Sequence, residues 1–277
     1  MQIQSARIPP SPHVAVDFAG TGTPVIFLHG IGGNRSNWSD QLSPFARRYL
    51  AIAWDMRGYG ASDDYDGVFE LDAVCGDLCR VLEHFGRDAA VLVGLSMGGM
   101  IAQEFYRRFP KRVLALVLAD TNAGPGGDFS PDDKAEFLRL RREPLLRGLT
   151  PRDIAPQLVD VLAGPDADAE VRARLEQSIS GLRTESYLKA LDAVVDFDSA
   201  DVLARIAVPV LLVCGGADRV TPPAGMRAMV KAITGARYVE LERAGHLSNI
   251  EQPEAFNRIA LDFLHDALGA SEAAIHR

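Results

Sequence analysis

The sequence has few cysteines and no long apolar run. Three cysteines among 277 residues are too few, and odd in number, for a disulfide scaffold, which favours a reducing compartment. No apolar stretch approaches the roughly 18 residues that a membrane span needs, and the first residues lack the apolar centre of a signal peptide. We therefore expect a cytoplasmic protein that does not enter a membrane. We interpret Cys75, Cys79 and Cys214 as small buried residues rather than reactive or metal-binding ones.

The sequence also lacks positive charge. It has 29 Lys and Arg against 37 Asp and Glu, a net charge of −8, with no basic block. This composition argues against nucleic acid as a partner and leaves a small-molecule substrate as the expected one. The length and the 47% apolar content suit one large domain, or one domain with a substantial insertion.

The most informative stretch joins a predicted strand to a predicted helix. Residues 89–95 form an apolar run typical of a strand buried on both faces, and the residues after Met97 are apolar at helical spacing. Between them lies Gly94-x-Ser96-x-Gly98, the pattern of a nucleophile elbow. Flanking residues without a Cβ let strand and helix approach each other around a strained serine. Ser96 could instead be an N-cap, but N-capping requires no flanking glycines.

Strands and helices alternate through much of the sequence, which predicts βαβ units. The expected fold class is α/β, with a mostly parallel central sheet flanked by helices. An N-terminal hairpin is expected within residues 2–20 and a final helix over 253–268, followed by a loose tail from Ser271. Further strands are expected at 25–28, 50–55, 113–119, 208–214 and 237–241, and a helix over 69–85.

The alternation stops after Asp120. Residues 122–199 begin with a Gly/Pro-rich turn and continue with charged helical segments near 131–142, 151–162, 167–180 and 184–195. We interpret 122–199 as a helical cap inserted into a core of residues 1–121 and 200–277.

Two later loops carry side chains that a nucleophilic serine needs. Serine hydroxyls require a base and a group that orients the base. Asp218 follows one predicted strand and His246 follows the last, giving the chain order Ser…Asp…His. In isolation, Asp218 could be a turn residue and His246 a solvated loop residue. Asp120, which also ends a strand, is an alternative acid.

Backbone donors for a developing oxyanion are expected from the residue after the nucleophile and from a loop after an earlier strand. These are the N–H groups of Met97 and Ile31. The loop His29–Gly33 is rich in glycine, as phosphate-binding loops are, but it lacks both nucleotide-binding spacings. We favour a structural role for His29.

Taken together, these motifs resemble the α/β-hydrolase superfamily over essentially the whole chain. The resemblance implies that Ser96 is the nucleophile, His246 the base and Asp218 the orienting acid, with no cofactor and no metal. The stretches 94–104 and 244–256 are similar to those of the 3-oxoadipate enol-lactonases, which hydrolyse a lactone in aromatic catabolism. The cap nevertheless lacks the Arg-Trp-Phe-Thr stretch that this family often carries, and His29-Gly30 stands where many members have Asn-Ser.

The expected activity is hydrolysis of a small ester or lactone. The alternatives are hydrolysis of a carbon–carbon bond in ring-cleavage diketones, a cofactor-free perhydrolase or oxygenase, and a binding protein whose triad is idle. The arginine-rich run 139–144 is expected to be a solvated helix face, with a contact to a substrate carboxylate as the alternative. Phe129, Phe137 and Tyr187 are candidates for lining a pocket.

Overall fold

The computed structural model describes residues 2–124 and 131–275. Its strands are β1 (Gln4–Ile8), β2 (Val14–Ala19), β3 (Pro24–Leu28), β4 (Leu50–Trp54), β5 (Ala90–Leu95), β6 (Val113–Ala119), β7 (Val210–Gly215) and β8 (Arg237–Leu241). Its helices are α1 (Ser39–Ala46), α2 (Leu71–His84), α3 (Met97–Arg108), α4 (Pro131–Arg141), α5 (Glu143–Leu146), α6 (Pro151–Leu162), α7 (Ala169–Ser180), α8 (Thr184–Val195), α9 (Ala200–Leu203), α10 (Pro223–Ala232), α11 (Ser248–Glu251) and α12 (Pro253–Ile275).

The strands form one sheet in the order β1-β2-β4-β3-β5-β6-β7-β8. The β1–β2 and β2–β4 pairs are antiparallel, and all other pairs are parallel. The structure therefore confirms the predicted α/β-hydrolase fold, including the N-terminal hairpin. Because the carboxyl ends of parallel strands share one edge of the sheet, the loops after β3, β5, β6, β7 and β8 converge there.

The central strands are apolar because the sheet is covered on both faces. Side chains alternate between two cores, one on each face: Ile26 and Leu28 belong to one, and Val25 and Phe27 to the other. All four are fully buried. Each contributes on the order of 1.5–3 kcal/mol through burial, so the sheet holds the converging loops on a rigid base.

The segment between β6 and β7, which we call the helical insertion, contains α4 to α9 and no strand among its described residues. Polar contacts tie it to loops of the sheet. The Ser178 hydroxyl donates to the Gly32 carbonyl at 3.1 Å, and the Arg183 guanidinium donates to the carbonyls of Gly60 and Ser62, each at 3.0 Å. The helical segments predicted from the sequence match α4, α6, α7 and α8. Most of the predicted Gly/Pro turn lies outside the described residues.

The C-terminal expectation was wrong in part. Helix α12 continues through the segment expected to be loose and ends at Ile275. The three alanines and one glutamate that follow Gly269 favour helix.

The cysteines are free, as expected: Cys75 and Cys214 are buried and Cys79 is half-buried. Across the described ranges, no helix combines the length and the apolarity that crossing a membrane requires.

Candidate active site

Ser96 lies on a sharp turn between β5 and α3, with φ 55° and ψ −120°. A positive φ is strained for a residue with a Cβ, so the surrounding backbone must hold it in place. The flanking glycines make this approach possible. A Cβ on Gly94 would lie 2.3 Å from the Gly98 carbonyl oxygen, and a Cβ on Gly98 would lie 2.0 Å from the Leu28 carbonyl oxygen. The structure thus confirms the elbow geometry predicted from the glycine spacing.

Three side chains form a continuous hydrogen-bonded chain. Ser96 Oγ lies 2.9 Å from His246 Nε2, and His246 Nδ1 lies 2.8 Å from Asp218 Oδ2. When Nδ1 donates to the carboxylate, Nε2 can accept the serine proton. All three residues are buried, Ser96 being 9% exposed. The fold therefore brings together the serine, histidine and aspartate singled out from the sequence.

Asp218 is held by its own loop as well as by the histidine. Its Oδ1 accepts from the backbone N–H groups of Val220 and Thr221 at 2.7 and 3.1 Å, and its Oδ2 accepts from the Thr221 hydroxyl at 2.7 Å. Burial acts to raise the pKa of Asp218, but the charge of His246 and these hydrogen bonds outweigh it and lower the pKa. The carboxylate is therefore ionised at neutral pH. Thr221 had not been singled out from the sequence.

The environment of His246 has two opposing effects. Burial acts to lower its pKa, and the charge and hydrogen bond of Asp218 act to raise it; the net shift is upward. The backbone of the histidine loop is fixed by the helical insertion, because the His246 N–H donates to the Leu162 carbonyl at 2.8 Å. No sequence signal had indicated this contact.

Asp120, the alternative acid, has other partners. Its Oδ1 accepts from the Gly215 N–H at 2.7 Å, and its Oδ2 accepts from the Ser248 hydroxyl at 2.5 Å. Within the described ranges, no hydrogen bond joins it to His246. Burial, together with the charge of Asp218, raises the pKa of Asp120 to about 8. Asp120 links the loop that carries Asp218 to the loop that carries His246.

Asp120, Cys214 and Asp218 form one group of potential metal ligands, with one ligand atom from each within 4.8 Å of the others. Burial raises the pKa of the Cys214 thiol far above its ordinary value, which disfavours the thiolate that binds metals. Both carboxylates already accept several hydrogen bonds from the protein. This group is a poor fit to a metal ion.

The two expected oxyanion donors belong to the residue that follows Ser96 and to the loop after β3. Met97 is the first residue of α3, so its N–H has no acceptor within the helix. Ile31 lines the same cavity as Ser96. Among the described residues, neither N–H donates to another group. Both are thus available to a ligand oxygen.

His29 is buried and uses both ring nitrogens structurally. Its Nδ1 lies 2.8 Å from the Gly30 carbonyl, and its Nε2 accepts from the Met56 N–H at 3.1 Å. Burial lowers its pKa. These contacts fix the loop that begins the proposed oxyanion hole, in agreement with the structural role favoured from the sequence.

A cavity opens onto Ser96 and His246 between the sheet and the helical insertion. Phe137 and Tyr187 line it, as proposed from the sequence, while Phe129 lies outside the described residues. Much of the remaining lining is apolar, including Ile179 from the insertion. Such a combination of apolar walls and a few convergent polar groups is typical of small-molecule sites.

The arginine run on α4 corrects one prediction. Arg139 is exposed and pairs with Glu136, as a charged helix face would. Arg142, the residue after α4, is half-buried and pairs with Asp192. Arg141, in contrast, is 4% exposed and lines the cavity, so the solvated-face prediction was wrong for this residue. The reason is helical geometry. Arg141 follows Phe137 by four residues and therefore shares its inward face.

Comparison with known proteins agrees with this geometry. Residues 23–253 match the family described as the alpha/beta hydrolase fold. The chain is 30% identical over 249 residues to 3-oxoadipate enol-lactonase 2 of Acinetobacter baylyi, covering 88% of this chain and 91% of the relative. It is 29% identical over 250 residues to a pimeloyl-[acyl-carrier protein] methyl ester esterase of Neisseria meningitidis, covering 88% and 77%.

Among solved structures, the malate-bound thermophilic esterase from Thermogutta terrifontis is similar over 96% of this chain and 99% of its own, with a TM-score of 0.84 and 30% identity. The family match covers most of the chain, including Ser96, Asp218 and His246. By sequence and by structure, the chain belongs to the alpha/beta hydrolase fold family.

Proposed function

We propose that the protein is a serine hydrolase that cleaves a small carboxylic ester or lactone through an acyl-enzyme on Ser96. The observation that carries this proposal is the unbroken hydrogen-bonded chain from Ser96 Oγ through the His246 ring to the Asp218 carboxylate. The serine lies at a helix N-terminus and faces a cavity, which a purely structural N-cap would not require.

In the first half-reaction, Ser96 Oγ attacks the substrate carbonyl while His246 Nε2 takes the hydroxyl proton. The negative charge that develops on the carbonyl oxygen is stabilised by the N–H groups of Ile31 and Met97. His246 then gives its proton to the leaving oxygen. In a lactone, that oxygen stays attached to the acyl group.

In the second half-reaction, water attacks the acyl-enzyme and His246 acts again as base. Asp218 stabilises the imidazolium in both halves, consistent with the raised pKa of His246. The proposed cycle uses no cofactor or metal, since this chain's own groups handle every proton transfer.

The ester or lactone class is favoured by what the relatives are called: an enol-lactonase, a methyl ester esterase and an esterase. An enol-lactone of aromatic catabolism is the narrower candidate, and a cytoplasmic location is part of the same proposal. We also propose that residues 122–199 act as a cap that selects the substrate, over a core of residues 1–121 and 200–277. The cavity supports this division, because both parts line it.

A fluorophosphonate probe tests the nucleophile. The purified protein should be labelled at Ser96, and Ser96→Ala should abolish the labelling while Ser36→Ala, which changes an exposed serine, retains it. Full labelling of Ser96→Ala would overturn the proposal. His246→Ala should lower kcat about as much as Ser96→Ala, by several orders of magnitude, because the triad acts as a unit.

A second assay decides the bond that is cleaved. Purified protein is offered an enol-lactone, a simple ester, a vinylogous diketone, and an ester with hydrogen peroxide. Hydrolysis of the lactone or the simple ester supports the proposal. Exclusive turnover of the diketone, or turnover that requires peroxide, would instead favour carbon–carbon hydrolysis or perhydrolysis.

A further inference from the structure

Arg141 is a buried cation in the cavity that contains Ser96. Arg141 is 4% exposed, and it lines the same cavity as Ser96 and His246. Among the described residues, no acidic side chain lies within ion-pair distance of it, whereas its neighbours Arg139 and Arg142 each pair with an acid. Arg141 therefore differs from the rest of the run in both position and partners.

The partners of Arg141 within the described part of the chain are neutral. Its guanidinium lies over the Phe137 ring, with Cζ 4.0 Å from the centroid, and it donates to the Phe137 carbonyl at a long 3.5 Å. The Tyr187 side chain lines the same cavity and is close enough to influence the pKa of Arg141. Burial lowers the pKa of Arg141, but an arginine remains charged at neutral pH.

A buried charge with only neutral partners is costly for a folded protein. Natural proteins depart from the rules of stability mainly at functional sites. An anion bound beside Arg141 would supply the missing counter-charge. The overall charge of −8 would not attract such an anion from a distance, so its recognition must come from a direct contact.

We propose that Arg141, assisted by Tyr187, binds a carboxylate carried by the substrate, so that the natural substrate is an ester or lactone with a free carboxylate at a distance from the reacting carbonyl. This inference rests on the proposed hydrolase function and names the substrate class of the same site. Arg141 is thus a specificity-determining residue, separate from the groups that carry out the chemical step.

The donor set suits a carboxylate. A guanidinium presents two parallel N–H groups that match the two oxygens of a planar monoanion. Tyr187 lines the same cavity, and its hydroxyl has an O–H to donate. A phosphate dianion would need more donors and more charge than one arginine and one hydroxyl provide. Leu158, Leu175 and Ile179 line the same cavity and offer an apolar surface for the carbon chain between the two carbonyl groups.

Matched substrates test the proposal by kinetics. Monoethyl esters of succinate, glutarate and adipate are each compared with the corresponding ester carboxamide, which has the same shape and no charge. The protein should prefer the carboxylate at one of these chain lengths. Arg141→Gln should lower that preference, the ratio of the two kcat/KM values, by about 10- to 100-fold, as loss of a charged hydrogen bond does. Arg141→Lys should keep part of it.

Arg139→Gln is the matched control, because it makes the same change on the same helix at a solvated position. It should retain the full preference. It should also hydrolyse 4-nitrophenyl acetate at the rate of the unsubstituted protein, and circular dichroism should confirm that every variant is folded. An unchanged preference in folded Arg141→Gln would overturn the proposal, as would equal rates of the unsubstituted protein on every pair.

A binding experiment separates this proposal from the hydrolase proposal. Ser96→Ala cannot form an acyl-enzyme, so calorimetry can measure its affinity for monoethyl adipate, or for the ester length preferred above, and for the paired carboxamide. Tighter binding of the carboxylate that disappears in Ser96→Ala/Arg141→Gln supports the carboxylate site even if serine chemistry fails. Equal affinities for the two ligands would overturn it even if Ser96 proves to be the nucleophile.

Discussion

At the scale of single residues, two buried aspartates near His246 have different partners. Asp218 contacts the ring nitrogen of His246, whereas Asp120 accepts from Gly215 and Ser248. Asp120 also has a positive φ of 44°, which its backbone neighbours must hold. We infer that Asp218 orients the imidazole and that Asp120 keeps the acid and histidine loops in register.

The two roles predict opposite results for the same conservative substitution. Asp218→Asn should fold and lose roughly 10⁴ in kcat, because the amide cannot stabilise the imidazolium and favours the wrong tautomer. Asp120→Asn should keep most of its rate, since an amide oxygen can still accept from the Gly215 N–H. Steady-state kinetics on both folded variants check this. The reverse pattern would assign the acid role to Asp120.

The pH dependence of the rate tests the charge state of His246. Only the neutral imidazole is a base, and Asp218 raises the pKa of His246 above its ordinary 6.5 despite burial. As pH falls through this raised pKa, kcat/KM should fall, with a midpoint above pH 6.5. Initial rates with 4-nitrophenyl acetate, corrected for spontaneous hydrolysis, measure the midpoint. A midpoint below 6.5 would mean that Asp218 does not stabilise the imidazolium.

At the scale of elements, the end of α6 contacts the loop that carries His246. The Leu162 carbonyl accepts from the His246 N–H, and the N–H groups of Gly164 and Gly245 both donate to Glu251 at 3.0 Å. A Cβ on Gly164 would lie 2.5 Å from the Gly245 nitrogen. The insertion therefore supports the His246 loop in addition to lining the cavity.

Gly164→Ala should for this reason impair the chemical step. The added methyl would push the histidine loop away, and a displacement of about 1 Å at a catalytic group can cost on the order of 10²-fold in rate. Gly181→Ala is the control, because a Cβ there would meet its nearest neighbour at an ordinary 3.5 Å. Both are assayed by kcat on 4-nitrophenyl acetate. Equal rates for the two variants would mean that the insertion does not support the chemical step and only selects the substrate.

The sequence predicted the elements well because their signals are local. The buried strands are continuous apolar runs, and the glycines around Ser96 report a close approach within one turn. Contacts between distant segments left no such signal. The bond from His246 to Leu162 is made by backbone atoms, so no side chain marks it. The inward position of Arg141 could have been found from its spacing to Phe137, but the surrounding charges suggested a solvated face.

At the scale of the whole molecule, the proposed carboxylate site should lower the free energy of unfolding when no anion is bound, because the buried charge of Arg141 then has no counter-charge. Even a buried ion pair can often be replaced by apolar side chains of similar volume with a neutral or stabilising effect of about 1–4 kcal/mol, and a buried charge without a counter-ion gains less from being retained. In a protein of this size, each kcal/mol shifts the unfolding midpoint by roughly 2–4 °C. Arg141→Met should therefore unfold at a temperature equal to or a few degrees above that of the unsubstituted protein.

Thermal unfolding is followed by circular dichroism at one scan rate, with and without monoethyl adipate. The measurement gives the change in unfolding midpoint caused by the Arg141 charge and the change caused by the bound ester. The ester should raise the midpoint of Ser96→Ala, which binds without turnover, and leave that of Ser96→Ala/Arg141→Met unchanged, because a ligand stabilises only the state that binds it. Arg139→Met, at a solvated position, should unfold at a temperature close to that of the unsubstituted protein in the absence of ester.

A large drop in the unfolding midpoint of Arg141→Met would show that the guanidinium stabilises the helical insertion. Its contact with the Phe137 ring would then be its main role, in place of anion binding.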